Sequence, residues 1–297
     1  MRVLLPIDIV HPAQPTIEAL KSLVPLAGAE VLFLYVKERL PSYERRLGSL
    51  GDFQDDWEHE VEKRAASVLD EAAAMMKPLC GSVSTEIVAG PPAMMIEAVA
   101  RDEKFDLTVV TPGQKGRVET FLLGSVSSGV VKHGPGTVLI CRPGTRADGV
   151  LKNVLIGVDG SPQSHYALAQ GVKQFAIDPA ETLITLVHIV SVADVLKLVS
   201  PVEYIAMVEN NLLLEGETFL AEAKATLAEQ GFRRVECVLK EGDPATEIIA
   251  IARALPADLV VIGAQGRTAV QHFLLGSVSH RIAMHAPGST AVVKRPH

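Results

Sequence analysis

Residues 259–279 read LVVIGAQGRTAVQHFLLGSVS, and this stretch decides the fold. It opens with four apolar residues, Leu259 to Ile262, a run of buried-strand length. Gly263 and Gly266 follow, then nine residues, then Gly276-Ser277-Val278-Ser279 at the head of a segment to His285 that reads as helix. The stretch also repeats. FLLGSVS stands at 273–279 and again at 121–127, an offset of 152. At the same offset His133-Gly-Pro-Gly136 matches His285-Ala-Pro-Gly288, Gly90-Pro-Pro-Ala93 matches Gly242-Asp-Pro-Ala245, and Asp106–Val110 matches Asp258–Ile262. Val3–Asp8 matches Val154–Asp159 at offset 151. Five matches in one order mark a duplicated module. The boundaries expected are 1–145 and 150–297, with the polar segment RPGTRADGVLKN (142–153) at the seam.

Each copy reads as five short strands alternating with helices. The strands expected are Val3–Asp8, Val31–Val36, Ser84–Val88, Leu107–Val110 and Thr137–Cys141, then Val154–Asp159, Leu183–Val190, Glu236–Leu239, Leu259–Ile262 and Thr290–Lys294. Long helices are expected near 53–77 and 202–229. This order predicts an α/β fold of two tandem doubly wound, Rossmann-like parallel-sheet domains. Ligands of such sheets bind beyond the carboxyl ends of the strands, where strand order reverses. The final strands are expected as edges, and exposed edges invite pairing.

Composition agrees. A chain of 297 residues suits two domains at about 150 residues each. With 48% hydrophobic and 4% aromatic residues, it favours helices layered on a buried sheet. A net charge of −7 gives no overall grip on nucleic acid or an anionic membrane. Cys80, Cys141 and Cys237 have no CxxC spacing, and all three are expected buried and unpaired. The start, MRVLLPIDIV, is broken too soon by Asp8 for a signal peptide, and no apolar run approaches a membrane span. A soluble, cytoplasmic protein is expected.

The glycine stretch has a chemical reading. Glycine allows close backbone approach to a ligand, and a helix start offers N–H donors and the positive dipole end to phosphate. The hydroxyls of Ser277 and Ser279 can donate to phosphate oxygens, and Arg267 can add charge. The plainer alternative is a glycine turn with serine as an ordinary helix cap. Asp159 has two readings also, ligand contact or capping of the next helix, a job Ser161 can do as well.

The combination of G-x-x-G, nine residues, G-S and an acid after the first strand resembles the universal stress protein (UspA) family. The resemblance covers almost the whole chain as two tandem copies, and includes Val158-Asp159-Gly-Ser161, Leu186-Val-His-Ile-Val190, Gly242-Asp-Pro-Ala245 and His285-Ala-Pro. It implies the adenine nucleotide alpha-hydrolase-like form of the fold and an ATP ligand, with any Mg2+ held mainly by the phosphates. Carried over residue by residue, Asp159 would meet the ribose or adenine side. Gly157 and Val158 would line the pocket, and the Ile189 backbone would meet adenine. Gly263, Gly266, Gly276 and Ser277 would hold the phosphates, with Ile262, Arg267, Val278 and Ser279 beside them. The resemblance further implies that the last strands pair the two modules across a pseudo-two-fold axis, and a homodimer of the whole chain is a further expectation.

The first copy departs from the pattern. In the ungapped alignment Thr111 stands at the place of Gly263 and Gln114 at that of Gly266. A rival alignment slides Gly113-Gln-Lys-Gly116 onto the motif but leaves seven residues before Gly124. Thr111 would lack glycine's freedom at positive φ, and Gln114 would add bulk. Asp8, Val36, Gly124 and Ser125 survive as a possible weak first-domain site. The function expected is an ATP-binding stress-response or regulatory protein, with binding mainly in the second domain. The alternatives are a slow ATPase or nucleotidyl-transferring enzyme, or an interaction scaffold. An enzyme needs a positioned base or charge, and Arg267, His272 and His280 are the nearby candidates, none with a visible orienting partner. His133 and His285 read as helix-terminal residues on the dipole, and His188 as a hydrogen-bonded core histidine. The apolar segment Ser191–Glu217 either covers the pocket or packs on a partner.

Overall fold

The computed structural model describes residues 1–38, 51–112, 123–142, 151–192, 201–266 and 275–295. In the first module these form β1 (Arg2–Pro6), α1 (Gln14–Leu23), β2 (Glu30–Lys37), α2 (Gly51–Met76), β3 (Ser82–Ala89), α3 (Pro92–Asp102), β4 (Leu107–Val110), α4 (Ser125–His133) and β5 (Thr137–Ile140). The second module repeats the order: β6 (Asn153–Gly157), α5 (Pro162–Gln174), β7 (Leu183–Val190), α6 (Val202–Glu229), β8 (Val235–Glu241), α7 (Pro244–Ala254), β9 (Leu259–Gly263), α8 (Ser277–His285) and β10 (Ser289–Val293). Proline opens α3, α5 and α7, where its missing N–H is not needed and its fixed φ suits the helix.

All ten strands lie in one sheet, ordered β3-β2-β1-β4-β5-β10-β9-β6-β7-β8. Neighbours are parallel except at the centre, where β10 runs antiparallel to β5 with Thr290 opposite Ile140 and Val293 opposite Thr137. Residues of β4, β5 and β10 are buried without exception, which accounts for their unbroken apolar character. The expected pairing of the two final strands is thus observed. Each is the edge of its own module, but their mutual pairing makes them the centre. The outer edges are β3 and β8, and both are largely exposed.

Strand alternation sorts the core into two layers. Val3 and Leu5 face α1, α2, α5 and α6, while Leu4 faces α3, α4, α7 and α8. Each layer runs across the seam without a break. The polar seam read from 142–153 is corrected at its margins: Arg142 and Leu151 are each 2% exposed. The cysteine expectation holds only for Cys141. Cys80 is half-buried and Cys237 exposed, because β8 is an outer edge; all three are free thiols. No helix among the described residues is long and apolar enough to cross a membrane.

Candidate functional site

In the second module strand order reverses at β6, which lies between β7 and β9. The loops leaving β6 and β9 therefore flank one crevice. β6 ends at Gly157, opposite Val187, while β7 continues to Val190 beside β8. Ile189 thus stands past the end of β6, where it is buried in the core layer that faces α7 and α8. Val158 is buried, and its N–H donates to the Val187 carbonyl at 2.9 Å.

Asp159 begins the β6 loop. Its Oδ1 accepts from the Ser161 N–H at 3.0 Å and the Ser161 hydroxyl at 2.6 Å. Ser161 in turn caps α5 by accepting from the Ser164 N–H at 3.1 Å. Capping therefore belongs to Ser161, and Asp159 orients the cap. The other carboxylate oxygen, Oδ2, lies 2.9 Å from where a Cβ on Gly266 would stand. The strand-one acid and the glycine turn, distant in sequence, are neighbours in space.

The glycine turn is anchored from three sides. Gly276 N–H donates to the Ala264 carbonyl at 2.8 Å, and the Ser279 hydroxyl donates to the Gly263 carbonyl at 2.7 Å. The Val293 carbonyl, at the end of β10, accepts from Ala264 N–H at 2.9 Å and from Gln163 Nε2 at 2.6 Å. Gly276 is the N-cap of α8 and supplies no side-chain cap, so the first turn of the helix faces the crevice with Ser277 exposed. The Ser279 hydroxyl thus donates inward to Gly263, while its backbone N–H lies in the first turn of the helix. One turn along α8, Arg281 pairs with Asp243, the cap of α7, at 2.8 Å. Arg267 and His272 lie outside the described residues.

Gly263 and Gly266 stand where space is tight, and no glycine of the turn is needed for handedness. Neither Gly263, Gly266 nor Gly276 has positive φ. A Cβ at Gly263 would stand 3.0 Å from Gln163 Cγ, and at Gly276 it would make only ordinary contact, 3.4 Å from the Ala264 carbonyl oxygen. The positive φ in this region belongs to Gly160, at +73°, where a Cβ would collide with the Phe219 ring from α6. Phe219 also meets His188 edge-on, with ring centroids 5.6 Å apart. His188 is buried, and its Nδ1 lies 2.7 Å from the Val158 carbonyl, an acceptor, so that nitrogen carries the proton. The core reading of His188 stands. His133 and His285 are the last residues of α4 and α8, as expected, and both are exposed.

The first module repeats the frame and loses the cradle. The Ser127 hydroxyl donates to the Thr111 carbonyl at 2.8 Å, the counterpart of Ser279 and Gly263, which supports the ungapped alignment. Gly124 caps α4 as Gly276 caps α8, with Ser125 opening the helix. Two prolines then stand where the second module places donors. Pro112 replaces Ala264 and has no N–H, and Pro12 replaces Gln163. Sequence reading missed both, because the acceptor they fail to reach is far away along the chain. Asp8 also differs: its Oδ1 accepts from Val10 N–H at 2.8 Å, while its Oδ2 pairs with His11 Nδ1 at 3.0 Å. Beside Val36 at the end of β2, Lys37 is held by Glu58 at 3.1 Å and Glu62 at 2.6 Å. The hydrogen bonds that Lys37 donates to Glu62 and then Glu58 hold that ammonium above its usual range. Gln114 lies outside the described residues. A hollow of about 270 Å3 near Arg2, Glu103 and Phe105 is at the amino ends of the strands, away from both crevices.

A family profile, that of the universal stress protein family, matches residues 1–142 and again 151–294. The chain belongs to the universal stress protein family. It is similar to a universal stress protein of Mycobacterium tuberculosis, 28% identical over 248 residues, covering 82% of this chain and 79% of that one. It is also similar to a universal stress protein of Methanocaldococcus jannaschii, 33% identical over 151 residues, covering 50% of this chain and 85% of that one. Among solved structures, a universal stress protein from Archaeoglobus fulgidus shares the fold at TM-score 0.64 and 21% identity, covering 99% of this chain and 96% of the other. The family profile matches this chain twice, and the ten-stranded sheet shows how this universal stress protein joins its two modules.

Proposed function

We propose that this universal stress protein is a nucleotide-binding stress-response protein whose ATP site lies in the second module. One observation carries the reading: Asp159 Oδ2 lies 2.9 Å from the position of a Cβ on Gly266, at the reversal of strand order and beside the uncapped start of α8. A carboxylate for hydroxyls, a side-chain-free turn and a helix N-terminus for phosphate converge there. Gly157, Val158, Asp159 and Ile189 would hold the nucleoside. Ile262, Gly263, Gly266, Gly276, Ser277, Val278 and Ser279 would hold the phosphates, with Arg267 adding charge. Any Mg2+ would be held mainly by the phosphates. The first-module site, with Asp8 engaged by His11 and with Pro12 and Pro112 in place of donors, binds weakly or not at all.

Calorimetric titration with ATP tests this. Wild type is expected to bind one ATP per chain, and Gly266→Val to bind none, because valine would displace Asp159. A stoichiometry near two overturns the asymmetry. Unchanged affinity in Gly266→Val overturns the site.

A further inference from the structure

The seam holds two cations at equivalent positions, Arg142 after β5 and Lys294 after β10. Arg142 is 2% exposed, and its side chain crosses into the second module. Its Nη1 donates to the Gly288 carbonyl at 2.9 Å and the Thr290 hydroxyl at 3.2 Å, and its Nη2 to the Ala283 carbonyl at 2.8 Å. Lys294 crosses the other way, where Nζ donates to the Gly134 carbonyl at the end of α4. Helix ends leave carbonyls without intrahelical partners at the negative end of the dipole, and a cation suits them. A buried guanidinium without such acceptors would be strongly unfavourable. Burial draws Arg142 down to about 10 and Lys294 to about 8, so the guanidinium stays charged at neutral pH.

The helix that Arg142 closes is α8, whose first turn carries Ser277 and Ser279. Nine residues make a rod of about 13 Å. Its start is tied to the glycine turn by Ser279 and Gly276, and its end is tied to the first module by Arg142. The glycine turn itself hangs on Val293, in the strand that pairs with β5. The anchors of α8 and of the glycine turn therefore lead to the seam.

We propose that Arg142 of the first module is a positioning residue for the nucleotide site of the second, acting through α8. This rests on the site assignment above. It gives the first module a role that its own altered crevice does not provide.

The test uses the full chain and three variants, Arg142→Met, Arg142→Lys and Lys294→Met. The readouts are ATP affinity and amide hydrogen exchange at residues 277–279 in ligand-free protein. Arg142→Met is expected to weaken ATP at least tenfold and to speed exchange at 277–279. Arg142→Lys restores most of both. Lys294→Met, which removes the other seam cation, lowers Tm but leaves ATP affinity within twofold. Equal loss of affinity in Arg142→Met and Lys294→Met would assign the effect to general loosening of the seam and overturn the proposal. Unchanged exchange in Arg142→Met also overturns it. Wild-type protein that binds no ATP overturns the site assignment instead, and the exchange measurement then decides the positioning of α8 by itself.

Discussion

A single methyl group separates the roles of two glycines. At Gly266 an added Cβ meets Asp159 Oδ2 at 2.9 Å, tighter than real contacts allow. At Gly276 the same group makes an ordinary contact at 3.4 Å. Gly276→Ala is therefore expected to unfold within about 2 °C of wild type yet to bind ATP at least tenfold more weakly, since only the ligand needs that space. Calorimetry and a thermal melt on one sample check both halves, and full ATP affinity in Gly276→Ala would remove Gly276 from the site. Ser161 gives a different signature. Its loss in Ser161→Ala removes the cap of α5 and a partner of Asp159, for a cost of about 1 kcal/mol in a denaturant titration. The glycines and Asp159 were legible in the sequence because spacing marks them. The reason for the glycines was not. Crowding by Gln163 and Asp159 depends on a crossing of chain segments that no local pattern encodes, and the same is true of Pro12 and Pro112.

The elements were more legible than their contacts. The helix expected at 202–229 is α6 (Val202–Glu229), and the ten strands fall within a few residues of their expected places. The strands after which the acids stand are shorter than read, ending at Pro6 and Gly157, so Asp8 and Asp159 belong to loops. Apolar runs fix strands, but the face a long helix presents depends on a few close approaches. On α6 one such approach is Gly216, where a Cβ would stand 2.6 Å from His188 Cδ2. Gly216→Val is expected to destabilise the protein by about 1–3 kcal/mol through overpacking. It should also loosen the Phe219–His188 contact beside Gly160. Urea denaturation gives the first effect, and a stability equal to wild type would show that α6 shifts without cost. Val202, Tyr204, Met207 and Leu214 are exposed, so this part of the helix does not bury itself on its own module.

At the scale of the molecule, the seam makes one sheet of two modules, and its buried groups link stability to pH. Lys294 falls from its ordinary 10.5 to about 8 because burial disfavours its charge, with Glu97 opposing weakly. Between those values the unfolded chain holds a proton that the folded chain has lost, so this group makes the folded state more stable as pH rises through the window. Above 10.5 the gain is complete, and it is lost as pH falls back through 8. Cys141 acts in the opposite sense. Burial lifts its thiol from 9 to about 12, so above pH 9 the folded chain keeps a proton that the unfolded chain releases, and stability falls. The two trends overlap, and wild-type stability alone cannot separate them. The difference between wild type and Lys294→Met can, because Cys141 is common to both. Unfolding free energy measured in denaturant at pH 7, 8, 9 and 10 is expected to rise for wild type relative to Lys294→Met at each step above 8. A difference independent of pH would mean that Lys294 keeps its proton throughout. The Gly134 carbonyl and the end of α4 would then hold the ammonium charged as firmly as Arg142 is held on α8.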